Sequence, residues 1–178
     1  MDRIVVLNYT YPFQGSQSFP GLAQNYKAHN MNNKKYHCLL LEDDPEDQEM
    51  FINAIHEVSE NTACYAVTNG IEALQVLEEA EFIPDFIFTD INMPLMDGFE
   101  FLKTIKASKA FRQLPVIIYS SDYSNETINK AKMMGASAIF SKSRPGVLKQ
   151  ILSKYLLLES APSFDFREHL ISGKQNNN

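Results

Sequence analysis

From Tyr36 onward the chain alternates short, uninterrupted apolar runs with longer segments whose apolar residues return every three or four positions. The short runs, at residues 38–41, 63–68, 85–89, 115–119 and 136–141, have the length and flanking turn residues of strands. Between and after them, helical spacing predicts a helix opening at Pro45, with Phe51, Ile52, Ile55 and Val58 inward, and others over 71–80, 99–108, 124–134 and 145–157. The punctuation agrees. Asp44 is placed to cap the first helix, and Pro45 suits its first turn. Asn69-Gly70 reads as a turn, and Gly135 suits the position just past a helix end. Five strands alternating with five helices, the strands apolar throughout, predict a parallel sheet covered by helices on both faces.

The flanks read differently. Residues 1–35 are rich in Asn, Gln, Tyr, Ser and Gly and carry no sustained period, so a loosely ordered extension is expected there. Met31 offers an alternative start. Residues 159–178 close on Gln-Asn-Asn-Asn and are expected to fray. One domain, residues 36–158, lies between them.

Composition narrows the classes. The net charge of −6 argues against direct binding to nucleic acid, which needs a basic footprint. The acids are concentrated: no Lys or Arg stands between Tyr36 and Leu102. No apolar run approaches the roughly 18 residues that cross a bilayer, so neither a membrane role nor any location but the cytoplasm is expected. Cys38 and Cys64 form no CxxC pair and sit in apolar surroundings, which suits buried, reduced thiols. The four histidines show no metal-binding spacing. Met93, Met96, Met133 and Met134 read as packing residues, and Lys130, Lys132, Arg144, Lys149 and Lys154 as solvated bases on the last two helices.

The stretch 86–98 carries the chemistry. Its apolar run ends abruptly at Asp90, and a carboxylate at the tip of a buried strand is costly unless it is paired, hydrated or metal-bound. Strand tips in a parallel sheet share one edge, where open α/β sheets place their ligands. Glu42-Asp43, Asp90, Ser120 and Lys142 follow four of the five strands and therefore converge. Three close carboxylates need a compensating cation. Glu42, Asp43 and Asp90, with the Asn92 backbone carbonyl and waters, form an all-oxygen set suited to Mg2+. Lys142 adds an ammonium and Ser120 a hydroxyl. A carboxylate in such company can attack a phosphoryl group whose oxygens the same neighbours neutralise.

Glu42-Asp43, Asp90-x-x-Met93-Pro94-x-x-Asp97-Gly98, Ser120 and Lys142 together resemble the signature of response-regulator receiver domains, and the intervals of 30 residues from Asp90 to Ser120 and 22 from Ser120 to Lys142 match as well. The resemblance spans about residues 36–157. It implies a (βα)5 flavodoxin-like fold with strand order 2-1-3-4-5, and an Asp90 that accepts phosphate from a sensor histidine kinase or phosphotransfer protein. It implies Mg2+ on Asp43 and Asp90, with Glu42 assisting through water. Ser120 and Lys142 would contact the acyl phosphate. It also implies a phosphoacceptor switch rather than a classical enzyme, signalling to a downstream protein target, with homodimerisation through helix 4, strand 5 and helix 5 as one route.

Two positions depart from the family. Ser143 replaces the proline that commonly follows the lysine with a cis bond. Ile139 stands where an aromatic residue often relays the signal. The Lys142-Ser143 pair resembles stand-alone receivers associated with phytochromes, and about 20 residues after Leu157 are too few for a DNA-binding output module. Asn92 and Asp122 are candidates for setting the hydrolysis rate. Competing readings are a phosphohydrolase with an Asp nucleophile, a flavin-binding domain of the same fold, and a pseudo-receiver that binds partners without phosphorylation. The first lacks a second acid two residues after Asp90. The second would set a phosphate beside Glu42-Asp43-Asp44.

Overall fold

Five strands and five helices follow one another in strict alternation. They are β1 (Tyr36–Leu41), α1 (Pro45–Val58), β2 (Thr62–Val67), α2 (Gly70–Glu79), β3 (Phe86–Thr89), α3 (Gly98–Ala107), β4 (Val116–Ser120), α4 (Asn125–Met133), β5 (Ala138–Ser141) and α5 (Val147–Leu157). This computed structural model describes residues 36–79, 83–142 and 147–157, with only the backbone at 147 and 154–157. The expected N-terminal extension, the C-terminal tail and the Lys142–Ser143 peptide bond lie outside the described residues.

All strands are parallel and ordered β2-β1-β3-β4-β5. The continuous apolar runs are explained by the two cores. Alternate side chains of a strand point to opposite faces. Cys38, Leu40, Phe86, Phe88, Ile117, Tyr119 and Phe140 meet α1 and α5 on one face. Leu39, Leu41, Ile87, Val116, Ile118 and Ile139 meet α2, α3 and α4 on the other. Phe51 of α1 packs edge-on against Phe88 of β3, ring centroids 4.9 Å apart.

Local capping chemistry sets the helix starts at the edge where the strands end. The Asp44 carboxylate accepts from the N–H groups of Glu46 and Asp47. The Asn69 side-chain oxygen does the same for Ile71 and Glu72, so α2 opens at Gly70, one residue before the predicted start. Asp97 and Glu100 form a reciprocal capping box on α3. Ser124 caps α4 through Thr127, and Gly135 follows that helix with φ of +84°.

Three side chains depart from expectation. Met133 is 88% exposed rather than packed: it lies two residues, about 200° of helix, beyond the buried Ala131, so it points outward. Met93, Met96 and Met134 do pack into or against the core. Lys130 is more than a solvated base, since its ammonium lies 3.9 Å above the Phe99 ring. Cys38 is fully buried, whereas Cys64 is half-buried on the edge strand. The two are direct register partners across β1 and β2, a proximity that 26 positions of sequence do not reveal. Burial, then the neighbouring Cys64 thiol, raises the Cys38 pKa well above its ordinary value.

Candidate functional site

Four strand ends supply the site. Glu42 follows β1 directly, and its N–H donates to the Val67 carbonyl at the end of β2 (2.9 Å), which holds it in line with the sheet. Its carboxylate is buried with the core. Asp43, exposed in the next position, and Asp90 complete a cluster in which one carboxylate oxygen from each of the three residues lies within 4.8 Å of the others. Asp90 is itself buried. Its N–H donates to the Leu41 carbonyl (2.9 Å), and its Oδ1 accepts from the Ile91 N–H (2.6 Å). Thr89 donates its hydroxyl to the Asp90 carbonyl at 2.8 Å, so main chain and side chain are both fixed.

The loop from Asp90 to α3 has no slack. A β-carbon on Gly98 would overlap the Asp90 carbonyl oxygen and stand 2.9 Å from its carbon and 3.0 Å from Cα of Ile91. The Gly98 N–H donates to the Ile91 carbonyl at 2.9 Å. Glycine is required here for close approach of two backbone segments. In the same loop Leu95 has φ of +66°, the one positive value at a non-glycine residue among the described residues, and its side chain is 80% exposed. Asn92 is exposed at the start of the loop.

Lys142, one residue past β5, pairs with the acids. Its N–H donates to the Ser120 carbonyl at 3.0 Å. Its ammonium reaches Glu42 Oε2 at 2.6 Å, Asp47 Oδ2 at 2.8 Å and Asp90 Oδ2 at 3.2 Å. Burial pushes the Glu42 carboxyl up to about 7, with Lys142 pulling it down and Asp90 pushing it up. Burial would lower the lysine, but the hydrogen bonds to Asp47 and Glu42 outweigh it and raise the ammonium above its ordinary value. Ser120 is fully buried at the tip of β4, its hydroxyl accepting from the Asp122 N–H at 3.4 Å.

A family model described as the response regulator receiver domain matches residues 38–153. The chain belongs to the response regulator receiver family. This receiver is 32% identical over 126 residues to the probable C4-dicarboxylate response regulator DctR of Bacillus subtilis, covering 70% of the chain and 54% of that protein. It thus spans about half the length of that relative. It is 30% identical to the chemotaxis protein CheY-3 of Vibrio cholerae, covering 68% of the chain and 92% of that protein. Its fold superimposes on the crystal structure of the phosphorylated cyanobacterial phytochrome response regulator RcpA with a TM-score of 0.65 at 24% identity, covering 71% of this chain and 97% of that one. The receiver is a two-component signalling domain with a flavodoxin-like fold, and such domains act as switches rather than as classical enzymes. No helix among the described residues is long and apolar enough to cross a membrane.

The convergence read from the sequence is present for Glu42, Asp43, Asp90 and Lys142. Ser120 ends the strand next to β3. Asp47 was missed. It reads in sequence as one more acid in the first turn of α1, where the helix dipole favours it. Its signal was positional, since that turn begins at the strand edge where Lys142 arrives. Gln48 was also unforeseen: its amide donates to the Glu42 carbonyl at 2.6 Å and ties α1 to the β1 tip. Ile139, in place of the relay aromatic, is buried among the α2, α3 and α4 contacts, and Phe140 faces α1 and α5.

Proposed function

We propose that Asp90 is the phosphoacceptor of a two-component phosphorelay, taking its phosphoryl group from a sensor histidine kinase or phosphotransfer protein. The observation that carries this reading is the buried Asp90 carboxylate at a strand tip, with Oδ1 held by the Ile91 N–H and Oδ2 facing Lys142. An Asp90 carboxylate oxygen attacks phosphorus, the P–N bond of the phosphohistidine breaks, and the histidine nitrogen keeps the electron pair. The fixed Oδ1 orients the nucleophile, and the Lys142 ammonium and Ser120 hydroxyl receive the phosphoryl oxygens.

The donor set fits a hard divalent cation. Three carboxylates, two of them buried, each bring one oxygen within 4.8 Å of the others and form an all-oxygen cluster whose charge Lys142 alone does not balance. Asp43, Asp90 and the Asn92 backbone carbonyl would hold Mg2+, with Glu42 assisting through water. When bound, the ion neutralises charge on the transferring group. The phosphorylated receiver would then alter contacts with a downstream protein target, with self-association through α4, β5 and α5 as one outcome, in the cytoplasm.

Fluorine NMR of the full chain with beryllofluoride and Mg2+ tests the assignment. A bound, Mg2+-dependent signal in the wild type that is lost in Asp90→Asn is expected. An equal signal in that variant would overturn it.

A further inference from the structure

Asp47 has a geometry the phosphoacceptor reading does not use. An ammonium has three N–H donors. In this structure Lys142 has three carboxylate partners: Glu42 at 2.6 Å, Asp47 at 2.8 Å and, most distant, Asp90 at 3.2 Å. Its donors are therefore all engaged before any phosphoryl oxygen arrives. A phosphoryl group on Asp90 can recruit Lys142 only if one of these bonds opens.

The three partners are not equally able to let go. The Glu42 side chain is 3% exposed, and its second oxygen already accepts from the Asp44 N–H at 3.4 Å, so release would strand a buried group. Asp90 is the group being modified. The Asp47 side chain is 36% exposed and sits in the first turn of α1, where water and the helix dipole both stabilise a free carboxylate. Its bond is the one that can open at least cost.

We propose that Asp47 is a positioning residue that draws Lys142 toward α1 in the unphosphorylated receiver and so competes with the phosphoryl group for the ammonium. The inference rests on the phosphoacceptor reading of Asp90. It places the setting of phosphoryl affinity on α1, a helix whose Glu57 also pairs with Lys149 of α5.

The test compares beryllofluoride dissociation constants of the full chain at saturating Mg2+ in wild type, Asp47→Asn, Asp47→Glu and Asp44→Asn. Losing one charged hydrogen-bond competitor should tighten Asp47→Asn binding by about tenfold. Asp47→Glu should return to within about twofold of wild type by restoring the competing carboxylate. Asp44→Asn removes the same charge three residues away while retaining a capping side chain, and should also stay within about twofold. A merely structural Asp47 would give weaker binding in Asp47→Asn together with a lowered melting temperature. Equal or weaker binding in Asp47→Asn overturns the proposal, as does an equal gain in Asp44→Asn, which would mark a general charge effect. Failure of the wild type to bind beryllofluoride at all would instead overturn the Asp90 reading, and this inference with it.

Discussion

Gly98, the first residue of α3, lies against the main chain of Asp90 so closely that a single added carbon would overlap the aspartate's carbonyl oxygen. The start of α3 and the site carboxylate are thus one rigid piece. Gly98→Ala should destabilise the fold by about 2–3 kcal/mol, the scale of overpacking in a site that cannot yield. Urea unfolding in the presence of chelator measures this. A Mg2+ titration of the folded variant should show weakened binding, because Asp90 must shift.

Leu95 in the same loop is held at φ of +66° with its side chain largely in water. A left-handed conformation costs a branched residue about 1–2 kcal/mol, and asparagine tolerates it better. Leu95→Asn should therefore raise stability by about 0.5–1 kcal/mol in the same unfolding assay. A loss of stability would mean that the leucine side chain contributes packing.

Lys142 is the only ammonium among the described residues shown bonded to Glu42 and Asp90. Removing one partner of a buried ion pair leaves uncompensated charge. Lys142→Met should cost about 3 kcal/mol at neutral pH without divalent ions, with much of the loss recovered on adding Mg2+. Thermal unfolding with and without Mg2+ reads both effects. Unchanged stability without the ion would contradict the charge balance described here.

How much of this was legible in sequence follows from what is local. Strands, helices and punctuation were readable because Asp44, Asn69-Gly70 and Gly135 act within a few residues of themselves. The strand tips were readable because a parallel sheet aligns them, and the resemblance to receivers supplied the order. Boundaries slipped by one residue where Thr62 and Ser120 extend a strand, and by two at the starts of β1 and β5. The pairing of Lys142 with Asp47, 95 positions apart, and the facing of Cys38 and Cys64 depend on register and helix rotation. Neither leaves a periodic mark. Met133 was misread because a methionine suits either side of a helix, and only the buried Ala131 shows which side faces in.

The Glu42 carboxyl, pushed up to about 7 by burial, gives a pH signature. A raised folded-state value favours the protonated form. Its contribution to stability is therefore fully present below the ordinary carboxylate range, near 4.5, and is lost as pH rises through about 7. Without divalent ions, wild type should lose stability relative to Glu42→Gln between these values and change little above them. Urea unfolding of both proteins across pH 4 to 8 measures the difference. A rising difference would reverse the assigned sign.

Intact-mass spectrometry after incubation with acetyl phosphate and Mg2+ reads phosphate acceptance by Asp90 itself. The wild type should gain one phosphoryl group, lost on adding hydroxylamine, and Asp90→Asn none. No gain in the wild type, or the same gain in Asp90→Asn, would contradict it.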